Sequence, residues 1–272
     1  MKPTERRNGV RDGAPKVEVR DIGLRYLAES GETEALRRIN LGIEAGEFVS
    51  IVGPSGCGKS TLLSLIAGIM PPTEGNVLVD GVPVRGPNPK LAYMLQSDFL
   101  FEWRTIIENV MIGPEIQGLS LKAARERGED LLSRYGLGDF MNHYPNQLSG
   151  GMRQRAALAR TLVTGPDVLL LDEPFSALDY QTRLTLADEV GVILRREGKT
   201  VILVTHDISE AITMTDRVVV MSRRPGRIRA EHQIGFPSLG PKRPSPFHLR
   251  KAEEFPGYFD EIWNELDIHI GA

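Results

Sequence analysis

Three glycines, a lysine and a serine fall together in GPSGCGKS at residues 53–60, between the apolar runs FVSIV and TLLSLIAGIM. With Gly53, Gly56 and Gly58 as its permissive positions and Pro54, Ser55 and Cys57 between them, the spacing G-x-x-x-x-G-K-S describes a loop whose backbone N–H groups wrap a polyphosphate. In such a loop Lys59 reaches the β- and γ-phosphates and the Ser60 hydroxyl is a ligand for Mg²⁺, with Thr61 next to it at the helix start. A second constellation, VLLLDEP at 168–174, ends an apolar run on two carboxylates. Asp172 is placed to hold the same Mg²⁺, and Glu173 to polarise a water as general base. The run TVILVTHD at 200–207 brings His206 to a similar strand end. A lone histidine there is more often structural, and only the neighbouring motifs raise its standing.

A fourth stretch, LSGGMRQR at 148–155, again sets glycines before a helix-forming run. Ser149, Gly150 and Gly151 would expose backbone N–H groups at the positive end of a helix dipole, which suits an anion. The same turn reads equally well as an ordinary N-cap closed by Ser149. Taken alone it leaves both readings open.

These residues need strands that end where the chemistry is. Alternation predicts a strand over 16–26, and 39–53 reads as strand, turn and buried strand running into the phosphate loop. Apolar residues at helical spacing predict a helix over 60–70, stopped by Pro71 and Pro72. NVLVDGVPV at 76–84 predicts a hairpin turning at Asp80-Gly81. Between 104 and 144 the pattern is helical. The runs at 168–174 and 200–207 have the unbroken apolar character of central parallel strands, and RVVVMS at 217–222 continues the sheet. Residues 1–15 read as a loose arm, 16–235 as one domain with a helical subdomain over about 97–160, and 236–272 as a linker and helix.

Composition narrows the partners. With 33 basic and 36 acidic residues among 272, the formal net charge is -3, which gives no electrostatic case for nucleic acid. The patch RRPGRIR at 223–229 reads as a solvated turn. The lone cysteine, Cys57, fits a reducing compartment, and a thiol inside the phosphate loop is expected to be shielded by bound nucleotide. No stretch of eighteen apolar residues occurs and residues 1–13 lack the apolar core of a signal peptide, so the expectation is a cytoplasmic chain whose membrane partner, if it has one, supplies the span.

Together GPSGCGKST, Gln96, LSGGMRQR, LLLDEP, SALD and His206 resemble, in order, the ATPases of ATP-binding cassette (ABC) transporters, from about residue 17 to 235. The resemblance implies an α/β fold: a P-loop NTPase core with an N-terminal antiparallel β region and an inserted helical subdomain. It implies ATP and Mg²⁺ as cofactors and a head-to-tail dimer, in which the LSGG turn of one subunit closes over ATP held by the other. By it Ser149 and Gly151 contact the γ-phosphate in trans, Tyr26 stacks on adenine, Gln96 links Mg²⁺ and water to the membrane partner, His206 senses the γ-phosphate and Asp179 contacts the opposite subunit. A soluble relative acting on nucleic acid or ribosomes would carry tandem cassettes or a long coiled coil, and a dead scaffold would lack Lys59 or Glu173.

QSDFLFEWRTIIENVMIG, from Gln96, is similar to the importers of nitrate, sulfonates, taurine and thiamine precursors, with Glu102 where many of them have proline. That implies transmembrane permease subunits, indirectly a solute-binding protein, and a place on the cytoplasmic face of the membrane. Phe99, Leu100, Phe101 and Trp103 then suit a groove for a permease helix; for Trp103 packing in the core is the favoured reading, and for Phe101 the two are balanced. In the tail Phe259, Ile262, Trp263 and Leu266 share one helical face, which suits docking on the ATPase.

Overall fold

Four five-residue runs, FVSIV, VLLLD, TVILV and RVVVM, are buried at every position, because each is apolar on both faces of a sheet covered on both sides. The computed structural model describes residues 14–28, 31–176, 178–240 and 243–266, so the predicted loose arm lies outside the described residues except for residues 14 and 15. The four runs are β3 (Phe48–Val52), β7 (Val168–Asp172), β8 (Thr200–Val204) and β9 (Arg217–Met221). With β6 (Leu91–Met94) and β10 (Ile228–Gln233) they form a six-stranded sheet in the order β10-β9-β3-β8-β7-β6. All neighbours are parallel except β10, which pairs antiparallel with β9 at the edge.

A second, antiparallel sheet has the order β2-β1-β4-β5, from β1 (Val17–Ala28), β2 (Gly31–Ile43), β4 (Glu74–Val79) and β5 (Val82–Pro83). The hairpin predicted at 76–84 is β4 and β5, with Asp80 and Gly81 both at positive φ as a type I′ turn requires. Strand β2 begins well before residue 39. Register shifts and the left-handed Asp21 and Arg38 break the alternation in β1 and β2, which is why a period of two fails to show their full length.

Helix α1 (Lys59–Ile66) follows the phosphate loop and ends four residues short of the predicted stop. Gly68 takes φ +73, and a Cβ there would lie 2.2 Å from the Gly86 carbonyl oxygen, so the chain turns before Pro71. The helical layer consists of α2 (Ile106–Gln117), α3 (Leu121–Arg134) and α4 (Gly150–Leu162). Thr105 and Glu108 form a capping box at the start of α2. Buried Asn109 exchanges hydrogen bonds with the backbone of Phe101 and so fixes the loop before the helix.

Helix α5 (Tyr180–Arg196) connects β7 to β8, and α6 (Ile208–Met214) connects β8 to β9. In the tail, α7 (Pro246–Leu249) precedes α8 (Phe255–Glu265), which lies against α6. Ile262 and Leu266 are buried with Ile208 and Ile212, Phe259 stacks on Trp263, and His232 of β10 meets Glu265 at 2.7 Å. The described residues of 236–240 and 243–266 therefore extend the core of the six-stranded sheet on its β9–β10 side.

Candidate functional site

The carboxyl ends of β3, β7 and β8 lie side by side, so the loops leaving them converge on one cavity of ≈ 410 Å³. Its wall includes Ser55, Gly56, Gly58, Lys59, Ser60 and Thr61 from the phosphate loop, Glu173 after β7 and His206 after β8. Lys59 is buried, and its Nζ donates to the carbonyls of Gly53 (2.8 Å) and Pro54 (3.2 Å), so the ammonium lies curled within its own loop. Gly58 is left-handed at φ 105, and its absent side chain leaves room for Leu36.

Ser60 Oγ donates to Asp172 Oδ1 at 2.9 Å, and Tyr93 Oη donates to Asp172 Oδ2 at 3.0 Å. Burial raises the Asp172 carboxyl above its ordinary pKa, against the opposing pull of these two hydrogen bonds. A desolvated carboxylate beside a hydroxyl oxygen is a hard donor pair that fits Mg²⁺, which takes few protein ligands and keeps several waters. Tyr93, whose own pKa is pushed up to about 12 by burial and by Asp172, stays a neutral donor that orients this carboxylate. Sequence reasoning missed it because β6 has only four residues, too few to show a strand period.

Glu173 has φ 46, a strained conformation for a non-glycine residue, held by its N–H donating to the Val204 carbonyl at 2.8 Å. Its Oε2 lies 3.1 Å from His206 Nδ1 and 3.4 Å from Gln96 Nε2, and Gln96 also donates to Ser176 Oγ at 3.1 Å. Glu173, His206 and Gln96 thus meet at one carboxylate oxygen. Tyr26 sits at the rim, its hydroxyl 3.4 Å from Thr61 Oγ1 and its ring 40% exposed.

Ser149, Gly150, Gly151 and Asp179 do not line the cavity. Ser149 caps α4 by accepting from Met152 N–H, and Asp179 caps α5 by accepting from Thr182 N–H. The two turns are neighbours, since a Cβ on Gly151 would lie 2.9 Å from Thr182 Cγ2.

Three sequence expectations change. The Cys57 side chain is 1% exposed and packs with the core beneath the loop, so its thiol does not face the cavity, and burial raises its pKa. Any role of Cys57 in binding is confined to its backbone. Trp103 is not in the core: it is 74% exposed and stacks on Phe101 with ring centroids 4.8 Å apart. The turn read as merely solvated at 223–229 places Arg224 on the cavity wall.

Behind His206 lies Glu210, 4% exposed, which accepts from Thr205 Oγ1 at 2.7 Å. Burial, then the charge of Asp207, push its pKa up to about 7. A carboxyl whose pKa is raised in the folded state gives stability that is complete below pH about 4.5 and lost as pH rises through about 7. Glu210→Gln, which mimics the neutral form, is expected to keep up to about 3 kcal/mol that the parent loses between pH 4.5 and 8. Urea denaturation of both chains across that range checks it; parallel curves would show that Glu210 does not titrate on folding.

Residues 36–176 match the family model described as ABC transporter. An uncharacterized ABC transporter ATP-binding protein of Bacillus subtilis, YtlC, is 47% identical over 245 residues, 89% of this chain and 92% of the relative. The taurine import ATP-binding protein TauB of Ruegeria pomeroyi is 39% identical over 241 residues, 88% of each chain. Among solved structures, a dimeric post-hydrolysis ATP-binding cassette, MJ0796, bound to ADP and Pi superposes with a TM-score of 0.70 at 34% identity, covering 80% of this chain and 99% of the other. With a glycine-rich loop, a strand-end glutamate and a strand-end histidine around one cavity, and with relatives at this identity along most of its length, the chain belongs to the ABC transporter family as an ATP-binding, ATP-hydrolysing subunit.

Proposed function

We propose that two copies of the chain sandwich two ATP molecules and drive a membrane importer from its cytoplasmic face. The observation that carries this reading is the separation of the site into two halves. The phosphate loop, Glu173 and His206 line one cavity, with Asp172 hydrogen-bonded to Ser60 at its wall, whereas the LSGG turn and Asp179 share a different surface of the same chain. A second copy turned head to tail brings its Ser149 and Gly151 over the open cavity, and the solved cassette similar to this chain is a dimer.

Within each site Lys59 and the loop N–H groups hold the phosphates, Ser60 and Asp172 hold Mg²⁺, and Tyr26 meets the base. Mg²⁺ supplies charge neutralisation at the β- and γ-phosphates. Glu173 takes the proton of the attacking water, and His206, 3.1 Å away, keeps that carboxylate oriented toward the γ-phosphate. Gln96 carries the state of this site outward. It is hydrogen-bonded to Glu173, and the chain that follows it is clamped to α4: Gln154 donates to the Gln96 carbonyl, Arg153 to Asp98, and Arg160 to the carbonyls of Asp98 and Phe99.

Phe99, Phe101 and Trp103 follow directly and are exposed, a patch fit for a short permease helix. Relatives named for taurine import support an importer of a small anionic, sulfonate-like or vitamin-precursor solute, served by a solute-binding protein. In the complex reconstituted with its permease, Phe101→Ala with Trp103→Ala is expected to cut solute uptake about tenfold or more, as loss of an aromatic anchor does, while hydrolysis by the isolated chain stays within about twofold. Uptake at the parental rate would remove the patch as the permease contact.

A further inference from the structure

The turn between β9 and β10 does more than reverse the chain. Ser222 N–H donates to the Arg227 carbonyl at 2.9 Å and Arg227 N–H to Ser222 Oγ at 3.1 Å, which closes the turn on itself. Gly226 N–H donates to the Ala35 carbonyl at 2.9 Å, and Arg37 N–H to the Gly226 carbonyl at 3.0 Å, so the turn is stitched to β2. On its other side a Cβ at Gly226 would lie 2.2 Å from the Cys57 carbonyl oxygen. Only glycine lets the turn approach the phosphate loop so closely.

Arg224, two residues earlier, is thereby carried to the cavity wall alongside Ala35, Ser55 and Gly56. Among the described residues no carboxylate pairs with it, whereas Arg217 on the preceding strand is taken up by Glu47 and Glu231. Apart from Arg224, the cavity wall carries one lysine, the buried Lys59, and it faces the carboxylate of Glu173, so a second cation there adds to the attraction for a triphosphate.

We propose that Arg224 is a second cation of the nucleotide site, acting in cis on the phosphate chain of the ATP held by its own subunit. This rests on the assignment of the cavity as the ATP site. The guanidinium is exposed, so its contribution is screened and smaller than that of Lys59. Its position is set by backbone hydrogen bonds and by Ser222, so replacing the side chain leaves the turn intact.

Calorimetry with Mg-ADP and with a non-hydrolysable ATP analogue on the full chain is the test. Arg224→Ala is expected to weaken both ligands by about three- to tenfold at low salt, with the difference shrinking as salt rises. Arg224→Lys is expected to recover most of the loss, since it restores the charge. Parental affinity in Arg224→Ala, with binding lost in Lys59→Ala, would overturn the role of Arg224 and leave the site standing. Parental affinity in both variants would overturn the site assignment itself. Unchanged nucleotide affinity with loss of the ATP-driven dimer would place Arg224 against the second copy, and so also overturn the proposal.

Discussion

Glu173→Gln is expected to slow ATP hydrolysis by about 10²–10⁴-fold, or roughly 3–5 kcal/mol of barrier, while ATP still binds. The substitution keeps the shape of the side chain and removes both the proton acceptor and a negative charge facing the γ-phosphate. Gln can still meet His206 and Gln96 where Glu173 does, at 3.1 and 3.4 Å. ATP should then persist between two subunits, so sedimentation of the variant should show an ATP-dependent shift from monomer to dimer. Adding Ser149→Arg to the same chain places a bulky cation on a turn that does not line the cis cavity. It should abolish the dimer and spare ATP binding by the monomer. Hydrolysis at the parental rate would exclude Glu173 as base, and a dimer that survives Ser149→Arg would exclude the LSGG turn as the closing surface.

Lys59→Ala should weaken ATP binding about 10²-fold or more, because a charged hydrogen bond to phosphate is lost inside a buried loop. The bonds that Lys59 makes within the loop add to the loss. Lys59 Nζ donates to the carbonyls of Gly53 and Pro54, and the latter also accepts from Cys57 N–H, so removal of the lysine takes the donor from Gly53 and loosens the loop that must wrap the phosphates. Calorimetric affinity within a factor of two of the parent would rule out this loop as the phosphate site. The size of the effect separates Lys59, 7% exposed, from Arg224 at the solvent edge.

Much of the site was legible because its parts are local. The phosphate loop needs closely spaced glycines, a lysine and a serine between a strand and a helix, and all of these fall within eight residues of the chain. The Asp172-Glu173 pair and His206 each follow an unbroken apolar run, and such runs become central parallel strands wherever both sheet faces are covered. The LSGG turn was legible as a helix start, and its Ser149 does cap α4. Tyr93 escaped because its meaning is a hydrogen bond to Asp172 across 79 positions, carried by a strand too short to stand out. Trp103 was misplaced because an aromatic residue in a helical region reads as core, while the loop before α2 is fixed by buried Asn109 and turns the indole outward.

The sequence by itself determined the candidate residues and their scaffold: a glycine-rich loop with its lysine and serine, a strand-end pair of carboxylates, and an α/β fold to carry them, since each depends on residues adjacent in the chain or on the period of a single strand. The tertiary structure alone decided which of them meet. Parallel strand order sets Glu173 against His206 and Gln96, and the pairing of Leu36 with Gly226 brings the β9–β10 turn to the phosphate loop. It also buried Cys57 and left the LSGG turn outside the cavity. Those outcomes follow from contacts between residues tens to nearly two hundred positions apart, whose partners are chosen by sheet order and packing and by no local pattern.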